Sequence, residues 1–507
     1  MNNLKALIVI LALSMPVFWI AKTPACEFAN QKVDFDRRRN LWIAVTLLAF
    51  ASNSFWVYMI GGALLVAFGA QREPNRLAMF LALMMAVPAF EETLPGFGDI
   101  AQIFTFSHLR MLSVVLLLPA YLVIRRQSAV VPFGRTTVDK ILLGYVLLRL
   151  LLTMTVSSST VMVRASIYAF TDIFLPYYVA SRGLRDLAAF RDALMTLVVA
   201  VVLMAPVAMF ESLRYWLLYS GLGDAMGVTN RMGAYLTRGG ELRAIVTGEH
   251  SIILGYLAAV VMGLFWFVRR SISSRLLSTV AISMLVVMLV ATGSRGPWLG
   301  AAAVLFVILL SGPDKMKRAS KGAVLVVPVL AALSFTEFGQ KLFDYLPFIG
   351  TADTATIDYR QRLFEISVPI ILQNPLFGAF DYLRNPAMQE LIQGEGIIDV
   401  VNTYLGVALT YGLVGLTLFC SVFAFSGWGV WSALRRSEPH SEINLLGRAL
   451  LAALAGMLVT IVSASSIGII PWVYWVLAGF CVSYTRLSPE PTAARAAAPV
   501  RGLRVGA

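Results

Sequence analysis

Residues 251–268 read SIILGYLAAVVMGLFWFV, an uncharged run inside an apolar stretch that extends over 246–268. A helix of that length covers about 27 Å, close to the hydrocarbon thickness of a bilayer. Comparable runs lie near 4–21, 41–69, 77–90, 107–124, 138–156, 162–180, 187–210, 273–292, 297–311, 320–335, 402–432, 447–466 and 470–485. The run 41–69 is long for one crossing and carries Asn53 at its middle, which allows two short crossings. Leu4–Ile20 is apolar enough for a signal sequence, but no convincing small-x-small site follows it, so it reads as a retained span. The expected fold class is all-α: a polytopic integral membrane helix bundle of roughly 12–15 transmembrane helices.

Composition agrees. Hydrophobic residues make up 58% of the 507 positions and charged residues 14%, against about 25% charged in soluble domains. The formal charge of +13 does not call for nucleic acid, because the basic residues cluster in alternate linkers. Arg37–Arg39, Arg125, Arg126 and Arg135, Arg182, Arg185 and Arg191, Arg269, Arg270 and Arg275, Lys315–Lys321, and Arg435, Arg436 and Arg448 mark one face. The linkers between them are acidic, neutral or uncharged, which is the positive-inside pattern. The expected organisation is transmembrane helices over 1–335 with a smaller outer loop at 214–245, a large extracytoplasmic loop at 336–401, C-terminal transmembrane helices over 402–485 and a disordered cytoplasmic tail at 486–507. Cys26, Cys420 and Cys481 form no disulfide framework, with Cys26 in a linker on the basic side. His108, His250 and His440 are the only histidines and have no metal-site spacing.

The polar groups gather at the outer loops. The stretch 336–401 holds nine acidic residues, including Glu395 and Asp399, against four basic ones. Within it, Leu363–Leu372 is too short to span, is interrupted by Pro369 and is ended by Asn374-Pro375, as an interfacial or re-entrant segment would be. Arg360 and Arg362 stand before it. They suit a phosphate, since a guanidinium fork donates two parallel bonds to its oxygens, or they snorkel at the membrane surface. The loop 214–245 contains Arg238 and Arg243, and Glu249-His250 follow it at a helix entrance. His250 is placed to act as a general base, a ligand donor or a helix cap. Arg295, in Thr292-Gly-Ser-Arg-Gly-Pro-Trp-Leu-Gly300, joins two spans with almost no linker. It either has a functional role or bonds the carbonyls of the broken helix end. Gly296 and Gly300 form a small-xxx-small pair for close helix packing.

Taken in order, these segments resemble the O-antigen ligase and Wzy-type polysaccharide polymerase superfamily. The resemblance is carried by Arg243 with Glu249-His250-Ser251, by Thr292–Gly300, by Arg362 followed sixteen residues on by Gly378, and by Asn402-Thr-Tyr404-Leu405 leading into Tyr411-Gly-Leu-Val-Gly415. It covers about 240–420; the N-terminal half is similar only in hydropathy. It implies a glycosyltransferase C-like bundle without cofactor or metal, in the bacterial inner membrane with its site facing the periplasm. Its implied partners are an undecaprenyl-pyrophosphate-linked glycan, an acceptor glycan or lipid, membrane lipid, and export and chain-length regulator proteins. Loop arginines would hold the pyrophosphate. The expected catalytic residues are Arg243, Arg362, Asp399 and His250, and the expected substrate-binding residues are Arg238, Arg295, Arg360, Asn402 and Tyr404. Ligases of this family commonly carry histidine before the asparagine matched by Asn402, where this chain has Val401. That departure favours a polymerase for exopolysaccharide, capsule or O-antigen over a lipid A-core ligase, and either hands the base role to Asp399, Glu395 or His250 or leaves a chemistry that needs no strong base. A flippase of lipid-linked sugars and a non-catalytic export scaffold are the alternatives.

Overall fold

The computed structural model describes residues 2–29, 32–97, 102–156, 158–228, 237–238, 240–311, 354–392 and 396–487. Among these, five helices are long and apolar enough to cross a membrane: Asn2–Phe28, Leu187–Arg214, Ser251–Val268, Thr403–Arg436 and Glu442–Thr460. Shorter apolar helices are Phe55–Gly69, His108–Ile124, Arg275–Ala291, Arg295–Leu310 and Ile470–Tyr484. The chain is a polytopic helix bundle, with two small antiparallel hairpins, Glu91–Pro95 with Gln102–Ser107 and Thr237–Arg238 with Glu241–Leu242. The expected span 320–335 and the tail from 488 onward lie outside the described residues.

Ser251–Val268 forms the centre. It packs against Arg295–Leu310 and Glu442–Thr460, and almost all of its side chains are buried. Small residues allow that approach. A Cβ on Gly300 would stand 2.8 Å from the carbonyl oxygen of Gly456, so the Gly296/Gly300 seam rests directly on the Glu442–Thr460 helix.

Three sequence expectations need correction. The run 41–69 divides into Lys32–Ala51 and Phe55–Gly69, as Asn53 allowed, but 22–40 is no open linker. Helices Asn2–Ala29 and Lys32–Ala51 occupy nearly all of it, and Cys26 is buried inside the first. Arg38 is accordingly not a solvated basic marker. It bridges Glu73 and Asp192, each at 2.6 Å. That bridge satisfies charges which would be costly to bury singly. The run 77–90 is not a full crossing: its helix is only Arg76–Leu83, buried from Leu77 onward, and the chain then turns into the Glu91 strand. Pro369 does not interrupt Leu363–Leu372. The helix Thr354–Gln373 passes through it. That helix buries Leu363, Ser367, Ile370 and Ile371 while Phe364 and Leu372 stay exposed, the one-sided stripe of an amphipathic helix.

After Gln373 the chain plugs into another helix. Thr403–Arg436 breaks at Gly412, which has φ 67°. The backbone N–H of Leu413 donates to Pro375 O at 2.7 Å and that of Val414 to Leu376 O at 3.2 Å, while Ala379 N–H donates to Leu409 O at 2.8 Å. The segment 375–379 thus takes up groups that the break sets free. Gly378 and Gly412 make the contact possible. A Cβ on Gly412 would meet Leu376 O at 2.3 Å, and one on Gly378 would meet Gly412 N at 2.6 Å.

Gly412→Ala should therefore destabilise the protein by roughly 2–6 kcal/mol, from left-handed backbone strain plus steric overlap. Gly134→Ala also has positive φ but nothing within 4 Å of the added Cβ, and should cost only about 1–2 kcal/mol. Thermal unfolding of the detergent-purified variants measures the difference; equal losses would contradict the role given to the junction.

Candidate active site

A cavity of about 1090 Å³ opens among the helix ends. Its wall combines Glu91 of the first hairpin, Arg110, Arg149, Asp172, Glu249, His250, Asp399 and the first turn of Ile470–Tyr484 at Pro471 and Trp472. Leu383, Gln389, Ile392 and Ile398 close one side.

Of the residues expected from sequence, Asp399 and His250 reach this cavity. Asp399 Oδ1 accepts a short hydrogen bond from Ser465 Oγ, and Tyr359 Oη donates to its carbonyl at 3.0 Å. Among the described residues nothing hydrogen-bonds Oδ2. Burial pushes the carboxyl above the usual aspartate range, while the Ser465 bond and the Arg360 charge pull the other way. His250 is the N-cap of Ser251–Val268, with Nδ1 accepting from Ile252 N–H at 3.2 Å. Burial, helped by the Arg243 charge, lowers its pKa to about 4. The neutral ring with Nδ1 occupied carries its proton on Nε2, so it presents a donor to the cavity.

Glu249, beside it, has left-handed backbone at φ 62°. Its carboxyl has no hydrogen-bond partner among the described residues, and burial together with neighbouring Glu91 raises its pKa to about 8. The segment leading to it is pinned by Glu211, whose carboxylate accepts from the backbone N–H groups of Leu218, Ile245 and Val246 at 3.0–3.1 Å.

The other expected residues lie off the cavity wall. Arg243 is buried and donates to Thr292 O at 3.0 Å and Ser294 Oγ at 2.7 Å, locking the two helix entrances together. Arg295 opens the helix Arg295–Leu310. Arg360 donates to Ser463 O at 3.4 Å. Arg362 is exposed and pairs with Glu390 at 2.7 Å, one residue past the cavity-lining Gln389. Asn402 caps Thr403–Arg436 by accepting from Leu405 N–H at 3.1 Å, and Tyr404 Oη donates to Leu458 O at 3.0 Å. The backbone of Arg238 pairs with Glu241 in the second hairpin; its side chain is outside the described structure, as is Glu395.

Sequence reasoning, drawn to the outer loops, passed over Arg110, Arg149 and Asp172. Their signal was present: they are ionisable groups inside the apolar runs 107–124, 138–156 and 162–180, where charge marks a cavity or pathway. Arg110 is paired, with Nη2 2.9 Å from Asp172 and Nη1 3.7 Å from Glu91. Among the described residues no group of three or more His, Cys, Asp or Glu is arranged to hold a metal ion.

Residues 281–420 match a family model described as O-antigen ligase, Wzy_C. An O-antigen ligase of Pseudomonas aeruginosa is 26% identical over 232 residues, which cover 44% of this chain and 52% of that protein. The chain therefore spans about half the length of this curated relative. The family match takes in Gly296–Gly300, the Gly378–Gly412 junction and Asp399, and stops short of Arg149 and His250. Packed inside a polytopic bundle, residues 281–420 are the part of the chain that is similar to the O-antigen ligase (Wzy_C) family.

Proposed function

We propose that this protein polymerises glycan repeat units carried on undecaprenyl pyrophosphate, at the extracytoplasmic side of the bacterial inner membrane. The carrying observation is the 1090 Å³ cavity in which Asp399 and His250, from separate helix entrances, face the charged groups of the N-terminal spans. The acceptor hydroxyl oxygen attacks the anomeric carbon of the donor. The bond from that carbon to the pyrophosphate oxygen breaks, and the pyrophosphate leaves with the electron pair. The acceptor's proton passes to Asp399 Oδ2. His250 Nε2–H donates to substrate oxygen, the ligand-donor reading of this residue and not the base reading.

Arg243, Arg295, Asn402 and Tyr404 act here as positioning residues that fix the entrances, while Arg238, Arg360 and Arg362 belong to the outer rim where the glycan enters. Val401 in place of histidine favours polymerase over lipid A-core ligase. The acceptor is then a second lipid-linked glycan, with membrane lipid around it and export and chain-length regulator proteins as partners. The unit boundaries are an outer loop at 336–401, helices on both sides and a cytoplasmic tail from 486. One observation favours a second reading, movement of lipid-linked sugars across the bilayer: Arg110, Arg149 and Asp172 lie within spans, as in a transport pathway.

Deletion of the gene followed by sizing of lipid-linked glycan separates these readings. Single repeat units accumulating outside indicate a polymerase, long unattached chains a ligase, and units trapped inside a flippase.

Orientation is tested by labelling from outside. Gln361→Cys should react and Gln127→Cys should not, both positions being exposed; the reverse pattern removes the cavity from the periplasmic side.

A base must be ionised, and the Asp399 pKa is raised. Turnover should therefore fall as pH drops through that raised value and recover above it. Asp399→Asn should lose about 10²–10⁴ in rate. Full turnover of this variant across about pH 6–8 in a purified assay would end the base assignment.

A further inference from the structure

The turn between Glu442–Thr460 and Ile470–Tyr484 reads Ile461-Val-Ser-Ala-Ser-Ser-Ile-Gly468 and carries no charge. It lies beyond the family match, which ends at 420. Ile467 N–H donates to Ser465 O at 3.0 Å, and Gly468 redirects the chain with φ 53°. Ser466, Ile467 and Gly468 thereby come to line the cavity. Hydroxyls in the spans mostly bond a carbonyl of their own helix, as Thr410, Ser426 and Thr460 do. Ser465 differs: its hydroxyl reaches the Asp399 carboxylate, 66 residues away in sequence.

The turn and its neighbours hold Asp399 at several points. Ser465 Oγ donates to Oδ1, and Tyr359 Oη, from the helix Thr354–Gln373, donates to the Asp399 carbonyl at 3.0 Å. Just beyond, Thr403 N–H donates to Ile461 O at 3.0 Å and Thr403 Oγ1 to Ala464 O at 2.8 Å. Arg360 Nη2 donates to Ser463 O at 3.4 Å. Backbone and side chain of Asp399 are therefore fixed independently. A carboxylate has two oxygens to offer. Here one is engaged by the serine, and the other has no hydrogen-bond partner among the described residues.

We propose that Ser465 is a positioning residue for proton transfer, holding Asp399 Oδ1 so that Oδ2 is the oxygen that meets the acceptor hydroxyl. This rests on the base role given to Asp399 above. With Oδ1 taken up by the serine proton, the proton leaving the acceptor goes to Oδ2, and Ser465 keeps its own. The same bond favours the ionised carboxylate, against the burial that disfavours it, and the Arg360 charge acts in the same direction as the serine. Loss of the hydroxyl therefore raises the pH at which Asp399 ionises. Other titratable groups face Asp399 as well. Tyr359 and Tyr382 lie beside its segment. Across the cavity are His250, Glu249, Arg149 and the Arg110 cluster with Asp172 and Glu91. Wild type and a Ser465 variant share all of these, so a difference between their pH profiles reports Asp399.

The test uses the full-length protein in nanodiscs, with lipid-linked glycan extracted from cells lacking the gene as substrate. Ser465→Ala should lower kcat by about 10-fold near neutral pH with little change in KM, and should move the acidic limb of the kcat profile to higher pH. Ser465→Thr keeps the hydroxyl on a half-buried side chain and should return the limb to its native place. Ser466→Ala removes a hydroxyl that bonds Tyr474 Oη at 2.8 Å and should leave the limb where it is. Infrared titration of the Asp399 carboxyl, identified by difference from Asp399→Asn, needs no substrate and should shift upward in Ser465→Ala. A native limb and a native titration in Ser465→Ala overturn the positioning role. So does an equal shift in Ser466→Ala, which traces the effect to the turn as a whole. Where Ser465→Ala does not fold, Ser465→Cys, a weak donor, decides, and a native limb in it overturns the contact. The base reading fails separately: if Asp399→Asn turns over at the native rate, Asp399 is no base, whatever the infrared titration shows of its bond to Ser465.

Discussion

Gly378 and Gly412, separated by one loop and a helix start, lie against each other, and the architecture of the site follows from that contact. Gly412 leaves the helical region and Gly378 approaches close enough that a methyl group on either would overlap backbone. A broken helix near a membrane must find partners for its freed amides and carbonyls. Here a loop strand supplies them, with hydrogen bonds from Leu413, Val414 and Ala379. The loop in turn brings Leu383, Gln389 and Ile392 to the cavity. One helix break thus anchors the segment 375–379, shapes a cavity wall and places Tyr411 against Arg149.

Charge is distributed with similar economy. At Arg38, Glu73 and Asp192, and at Arg182 and Asp139, arginines of the basic clusters close buried ion pairs. Losing one partner of such a pair leaves an uncompensated charge, which is worse than losing both. These pairs keep the helices in register. Across the cavity the pattern differs. Glu249 and Asp399 have raised pKa values and incomplete hydrogen bonding, and Arg149 has aromatic neighbours instead of an acid. Polar groups left partly unsatisfied around a large cavity are the expected signature of a site that completes its bonding with substrate.

His250 shows how position in a helix constrains chemistry. By sequence it is a histidine at a helix entrance, placed to act as a base, a ligand donor or a helix cap. Capping consumes Nδ1, and the neighbouring Arg243 charge disfavours protonation. The ring is left to donate. Asn402 and Tyr404 are similar: the Asn402 side chain caps its own helix, and that of Tyr404 ties the helix start to Leu458 near the end of Glu442–Thr460.

The sequence by itself determined the class of molecule and the family to which residues 281–420 are similar. Apolar runs of bilayer length, sparse charge and alternating basic linkers depend on composition and spacing alone. The small-residue seam at Gly296 and Gly300 was legible for the same reason. Tertiary structure decided which polar groups meet. Arg149 and Asp399 are 250 residues apart in the chain, and nothing local to either indicates that they share a cavity. Arg243, read as a ligand for phosphate, is spent on backbone and hydroxyl groups only because the Thr292–Ser294 turn lies against it. Local pattern reports which residues must avoid lipid; the packing of helices distant in sequence determines whether such a residue is satisfied by the protein or left to be satisfied by substrate.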